Sequence, residues 1–129
     1  MAIEPFPKNI TILKRNLKNI SYKLIEEALG DNVSVSKFYI DNTNRASGQN
    51  STIKHYYLNE SFDINQTTID TLVKKNNFKK INLLKLDIEG SEYNALLGAK
   101  QTLSNGLIEY IQLEYNQTWI EGGGVLKKY

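Results

Sequence analysis

The stretch INLLKLDIEGSEYNALLGA, Ile81 to Ala99, is a nearly unbroken apolar run that ends in acids and a glycine and then changes to a helical repeat. Short apolar runs of this kind mark a buried parallel strand, and the change of period predicts a helix directly after it. The strand is expected over Ile81 to Leu86, covered on both faces, with Asp87 at its carboxyl end, the edge where open α/β sheets bind ligands. Alternation along an extended chain sends Lys85, Asp87 and Glu89 to one side and Leu86 and Ile88 to the other. Gly90 permits a sharp turn, Ser91 is a good N-cap, and Glu92 puts negative charge in the first helical turn. Tyr93, Leu96, Leu97 and Leu103 recur on one helical face, and Gly98 and Ala99 allow close approach to the sheet. Ser104, Asn105 and Gly106 stop the helix.

Composition narrows the class. With 129 residues, 40% of them hydrophobic, the chain can bury one core and is too short for two ordinary domains, so a single domain or part of one is expected over residues 1–129. Its 16 basic and 14 acidic residues are interleaved and leave a net charge of +2, so no nucleic-acid surface is expected. The absence of cysteine excludes disulfides and thiolate metal sites, and a lone histidine, His55, argues against a multi-histidine centre. No apolar run approaches membrane-spanning length and no signal-peptide pattern opens the chain; a cytoplasmic protein without a membrane partner is the expectation.

Outward from the central stretch, Ala2 and Ile3 read as the last residues of a strand with Glu4 at its end. Pro5 and Pro7 fix a turn and start a helix to about Leu17, with Ile10, Leu13 and Leu17 inward. On these residues alone Glu4 favourably charges that helix's N-terminus. Tyr22 to Leu29 reads as one strand before a Gly30-Asp31 turn, and Val33 to Ile40 as an exposed-edge strand of strict period two. Asp41 to Thr52 is polar and reads as a loop, Ile53 to Phe62 as a further short strand, and Thr67 as the cap of a helix through Val73. The basic run KKNNFKK is a solvated helix end. Leu107 to Tyr115 is a strand with Ile108, Tyr110, Gln112 and Glu114 on one side, so Glu114 also falls at a carboxyl end, near Asp87 if the strands are neighbours. The triple glycine Gly122-Gly123-Gly124 lacks the lysine and helix of a phosphate-binding loop and is expected to be flexible.

In order, TIDTLVKK, LLKLDIEGSEYNALLGA and IQLEYN resemble the second half of the FkbM family of S-adenosylmethionine-dependent methyltransferases; AIEPFPKN, LKRNL and EALGD resemble its middle. The resemblance implies a Rossmann-like class I methyltransferase fold, here a partial three-layer α/β/α sandwich with a mostly parallel sheet. It also implies methyl transfer from S-adenosylmethionine to a hydroxyl of a sugar, glycan or other small acceptor. By resemblance Glu4 accepts hydrogen bonds from the ribose hydroxyls, Ala28, Leu29 and Asp31 line the adenine, and Ser47, Asn50 and His55 contact the acceptor; ordinary turn and loop roles compete with the latter two assignments. Asp87, Glu89 and Glu114 are the acid candidates: Asp87 as base or cofactor contact, Glu89 to orient cofactor or acceptor. Two clustered carboxylates suit a hard divalent cation, but no dedicated ligand set is visible and no metal site is expected.

The strand and glycine-rich turn that open such domains are not seen here, so a truncated form with an exposed sheet edge is expected, binding cofactor weakly or not at all. That edge suggests a homo-oligomer or a complementing chain, and a non-catalytic remnant or binding module is the alternative function. A nucleotide-binding oxidoreductase also places an acid after a strand, but KLDIEG points away from it.

Overall fold

The computed structural model describes residues 1–42 and 49–125. Its centre is the predicted unit: β6 (Ile81–Leu86) runs parallel to β7 (Ile108–Leu113), Leu86 opposite Leu113, with α3 (Glu92–Leu97) and α4 (Lys100–Ser104) between them in the chain. A second parallel pair joins β1 (Ala2–Ile3) to β2 (Leu24–Ile25), and α1 (Pro7–Asn16) connects them with Ile10 inward. In the third sheet β5 (Glu60–Thr67) lies between β3 (Ala28–Leu29), parallel to it, and β4 (Ser34–Ile40), antiparallel at the edge. The architecture is α/β with mostly parallel pairing, and β4 is the edge strand its period-two pattern predicts.

Several expectations are corrected. Tyr22 to Leu29 is not one strand: the chain leaves β2 at Glu26 and rejoins another sheet at β3. The strand expected over Ile53–Phe62 begins only at Glu60, because residues 53–59 turn to bury His55 and Leu58, with the Leu58 N–H donating to the His55 carbonyl. Thr67 ends β5; the cap of α2 (Ile69–Asn76) is Thr68, whose hydroxyl accepts from the Thr71 N–H at 3.0 Å. Asn77, left-handed at φ 53°, ends this helix.

The long helix expected after Ser91 breaks at Gly98–Ala99. Asp70 starts its second half by accepting from the N–H groups of Gln101 and Thr102 and from the Thr102 hydroxyl. Burial works to raise the Asp70 carboxyl, but those three hydrogen bonds outweigh it and hold the group below its ordinary value. The break also turns the helical face: Tyr93 and Leu103 are exposed, and Ala95, Ala99 and Thr102 point inward. As expected, Gly98 makes a close approach, since a Cβ there would lie 2.1 Å from the Gly30 carbonyl oxygen.

One core joins Leu29, Ile69, Leu72, Leu86, Ala95 and Ala99; a second packs Phe38 and Ile64 with the partly buried Phe6 and Phe62. Helices α2 and α3 cover only the face of β6–β7 that carries Leu84, Leu86 and Leu113. On the other face Leu83 and Tyr110 are 55% and 65% exposed, so β6 is not covered on both sides as its apolar run predicts.

Candidate functional site

Beyond Leu86 the chain turns through Asp87, Ile88, Glu89, Gly90 and Ser91. Glu89 and Gly90 both have positive φ, 53° and 97°. A left-handed glutamate costs roughly 1 kcal/mol and persists only where its surroundings impose it. They do so from three directions. Glu92, 1% exposed, folds back so that its two oxygens accept from the N–H groups of Ile88 (2.8 Å) and Gly90 (3.0 Å). The Glu89 carbonyl oxygen accepts from the Ser51 hydroxyl at 2.7 Å and from His55 Nε2 at 3.0 Å. From the far side comes α5 (Gln117–Glu121): a Cβ on Gly90 would meet the Thr118 carbonyl oxygen at 2.4 Å, and one on Gly122 the Gly90 carbonyl oxygen at 1.9 Å.

His55 is the keystone of this clamp. Its side chain is fully buried, stacks on Tyr57, and carries Glu121 on Nδ1 at 2.5 Å while Nε2 serves the turn. Two residues of the triple glycine are packed, Gly122 against Gly90 and Gly124, whose added Cβ would sit 2.0 Å from Trp119 Nε1, while Gly123 is exposed at φ 87°. Ser91 stands at the N-cap position as predicted but makes no cap bond; its hydroxyl pairs with Thr52 at 2.5 Å.

The turn gathers the three predicted acids. Carboxylate oxygens of Asp87, Glu89 and Glu114 lie within 4.8 Å of one another. Asp87 is exposed and paired with Lys85 at 2.6 Å, so the predicted sharing of a side holds for these two. Burial pushes the Glu89 carboxyl up, and the charges of Glu114, Asp87 and Glu92 push it further. The three side chains could supply three oxygens to a hard divalent cation, which takes six or more.

A cleft of about 590 Å³ runs from these acids along β6 to β1. Glu4 also lines it; its Oε1 accepts from the N–H of Phe6, the residue before α1, at 2.9 Å and its Oε2 from the Asn9 side chain at 3.2 Å. Ala28 and Leu29 line the same cleft, as do Asn50, Thr52 and Ser91. Asn50 also accepts from the Asp41 N–H at 3.3 Å. Asp31 is exposed, accepts from the Asn32 side chain and is not among the cleft's lining residues. Ser47 lies outside the described residues. The structure thus brings Glu4, Ala28, Leu29, Asn50, Asp87 and Glu89 to one cleft, with Glu114 beside it and His55 behind the turn.

Sequence reasoning missed Glu92, Glu121 and the hydroxyls of Ser51 and Thr52 as builders of the turn. Only Glu92 left a signal, a carboxylate two residues beyond the glycine of a strand-to-helix turn. Among the described residues no helix is long and apolar enough to cross a membrane. The chain matches the family model described as "Methyltransferase FkbM domain" over residues 1–127. Searches of curated proteins and of solved structures found no match.

Proposed function

Because the chain belongs to the FkbM methyltransferase family, we propose that its cleft takes S-adenosylmethionine and that its acidic turn serves methyl transfer to a hydroxyl of a sugar or other small acceptor in the cytoplasm. The observation that carries this reading is the pairing of Glu4 with Asp87 and Glu89 across one cleft whose walls include Ala28 and Leu29.

The donor chemistry of these residues fits the cofactor. Each Glu4 oxygen accepts one hydrogen bond and keeps a lone pair for a ribose hydroxyl. Apolar Ala28 and Leu29 suit a purine face, and a rim of carboxylates favours a cation. Bound S-adenosylmethionine supplies an electrophilic methyl group on a positively charged sulfur. Glu89 is the proton acceptor for the acceptor hydroxyl, because burial and the neighbouring charges raise its carboxyl toward the range a general base needs. Asp87, fixed by Lys85, orients the bound groups, and Glu114 acts on Glu89 through its charge. Asn50 is the acceptor contact, whereas His55 works through the Glu89 carbonyl.

Thermal unfolding with S-adenosylhomocysteine tests the reading. A saturable rise in Tm is expected at ligand concentrations between about micromolar and millimolar, with up to about 2.7 kcal/mol at a hundredfold excess over Kd. Glu4→Ala should abolish the rise while keeping a cooperative transition. No saturable rise, or one unchanged in Glu4→Ala, would sink the reading. A non-catalytic module that pairs through an open sheet edge is the second reading; among the described residues one side of β1 and one side of β6 have no strand paired to them.

A further inference from the structure

Residues 55–57 build a column of rings behind the acidic turn. His55 is its base: the side chain is fully buried and both ring nitrogens are engaged, Nδ1 with Glu121 and Nε2 with the Glu89 carbonyl oxygen. Tyr57 lies on it almost in parallel, with 5.4 Å between ring centres and 13° between planes. Tyr56 then stands edge to face against Tyr57, at 5.2 Å and 85°, and is 95% exposed. A ring so open to solvent adds little to the core, so burial does not account for its place. The column beneath it does. Tyr57 also ties that column to the acids: burial pushes its hydroxyl up, and the charges of Glu89 and Glu121 push it further, so the phenol oxygen sits where both carboxylates are felt.

The chemistry around the column says what fits. Glu121 gives one oxygen to His55 and the other to Gln117 Nε2 at 3.2 Å, and each oxygen keeps a lone pair for a further donor. Lys54 and Asn59, in the chain on either side of the rings, are exposed. A flat apolar partner would strip water from such groups and return no hydrogen bond. A cation has less to gain than a neutral donor, because both Glu121 oxygens already hold donors and Asp87 is paired with Lys85. A pyranose ring meets both halves of the surface: its axial C–H bonds pack on the electron-rich face of a tyrosine, and its hydroxyls donate to carboxylates.

We propose that Tyr56 is the stacking platform for a pyranose acceptor, whose ring lies on the tyrosine face with its hydroxyls turned toward the acidic turn. This rests on the methyl-transfer reading and narrows it: among hydroxyl acceptors, Tyr56 selects those that carry a six-membered sugar ring with an open C–H face.

The test titrates the whole 129-residue chain with methyl β-D-glucopyranoside, whose equatorial substituents leave axial C–H bonds on both faces, and follows the glycoside by saturation-transfer NMR with and without S-adenosylhomocysteine. Saturable binding is expected, with the axial ring protons receiving most of the transfer. Tyr56→Ala should weaken binding about tenfold and, the ring being exposed, keep its Tm. Tyr56→Phe should bind as the unaltered chain does, because stacking uses the ring and not the hydroxyl. Sorbitol, an open-chain polyol, should bind about tenfold more weakly than the glycoside on the unaltered chain, which decides the matter should Tyr56→Ala fail to fold. No saturable binding, unchanged binding in Tyr56→Ala, or equal binding of sorbitol would overturn the proposal. So would displacement of the glycoside by tetramethylammonium at lower concentration, since the occupant would then be a cation. A rise in Tm with S-adenosylhomocysteine but no glycoside binding would sink the platform and leave the methyl-transfer reading standing. Glycoside binding that depends on Tyr56, without any response to S-adenosylhomocysteine, would support the platform and sink the cofactor reading.

Discussion

Leu86 and Glu89 are three residues apart, yet their backbone groups meet opposite conditions. On the Glu89 side the backbone of the turn is held by side chains: Glu92 takes two N–H groups, Ser51 and His55 share a carbonyl, and α5 closes the outside with glycine against glycine. On the Leu86 side the peptide groups of β6 that face away from β7 have no strand beside them among the described residues. The chain spends its specific contacts on holding an acidic turn in a strained shape and leaves the strand leading to it half paired.

The comparison breaks most readily at Gly122. Adding a Cβ there, 1.9 Å from the Gly90 carbonyl oxygen, meets backbone on both sides and cannot be relieved by rotating a side chain. Gly122→Ala should cost about 3 kcal/mol, or a fall in Tm of about 10 °C for a domain of this size. A fall of less than about 2 °C would mean α5 yields, and the turn would then be no better held than the open edge.

How much of this was legible depended on whether the signal was local. The strand over Ile81–Leu86, the ligand-edge acids and Gly98's close approach follow from apolar run length, chain direction and the small residue, and all stand in the structure. β5 was hidden because its exposed side, Ser61, Asp63 and Asn65, looks like loop, while only Phe62, Ile64 and Gln66 report the inside. His55 was illegible for a different reason. Its partners, Glu89 and Glu121, lie 34 and 66 residues away, so no window of sequence carries the pairing. Packing at Gly122 and Gly124 was equally long-range: three glycines spell flexibility until Gly90 and Trp119 are placed against them.

Glu92 sharpens the comparison at intermediate size. Gln keeps one acceptor oxygen and turns an NH₂ toward one of the two N–H donors it replaces, so a buried donor loses its partner. Glu92→Gln should cost about 2 kcal/mol in urea unfolding and speed hydrogen exchange at Ile88 and Gly90 before it does so in β7. Uniform acceleration across both would show that the turn is not a separate unit of stability.

The smallest effect has the opposite sign. Glu89 carries a carboxyl whose folded value lies above its ordinary one, first through burial and then through Glu114, Asp87 and Glu92. An acid raised on folding holds its proton more tightly in the native state. Stability is therefore lost as pH climbs from the ordinary carboxylate value through the raised one, and the loss is complete above it. Glu89→Gln removes that loss without changing backbone demands at φ 53°. At about pH 7.5 the variant should be the more stable by less than about 1 kcal/mol, solvent screening keeping the gain small, and at about pH 4 the two should coincide. Added salt should shrink the difference, because three of its sources are neighbouring charges. If Glu89→Gln is instead less stable at neutral pH, the carboxylate makes a bond that outweighs its repulsions, and the clamp extends to the side chain as well as the backbone of the turn.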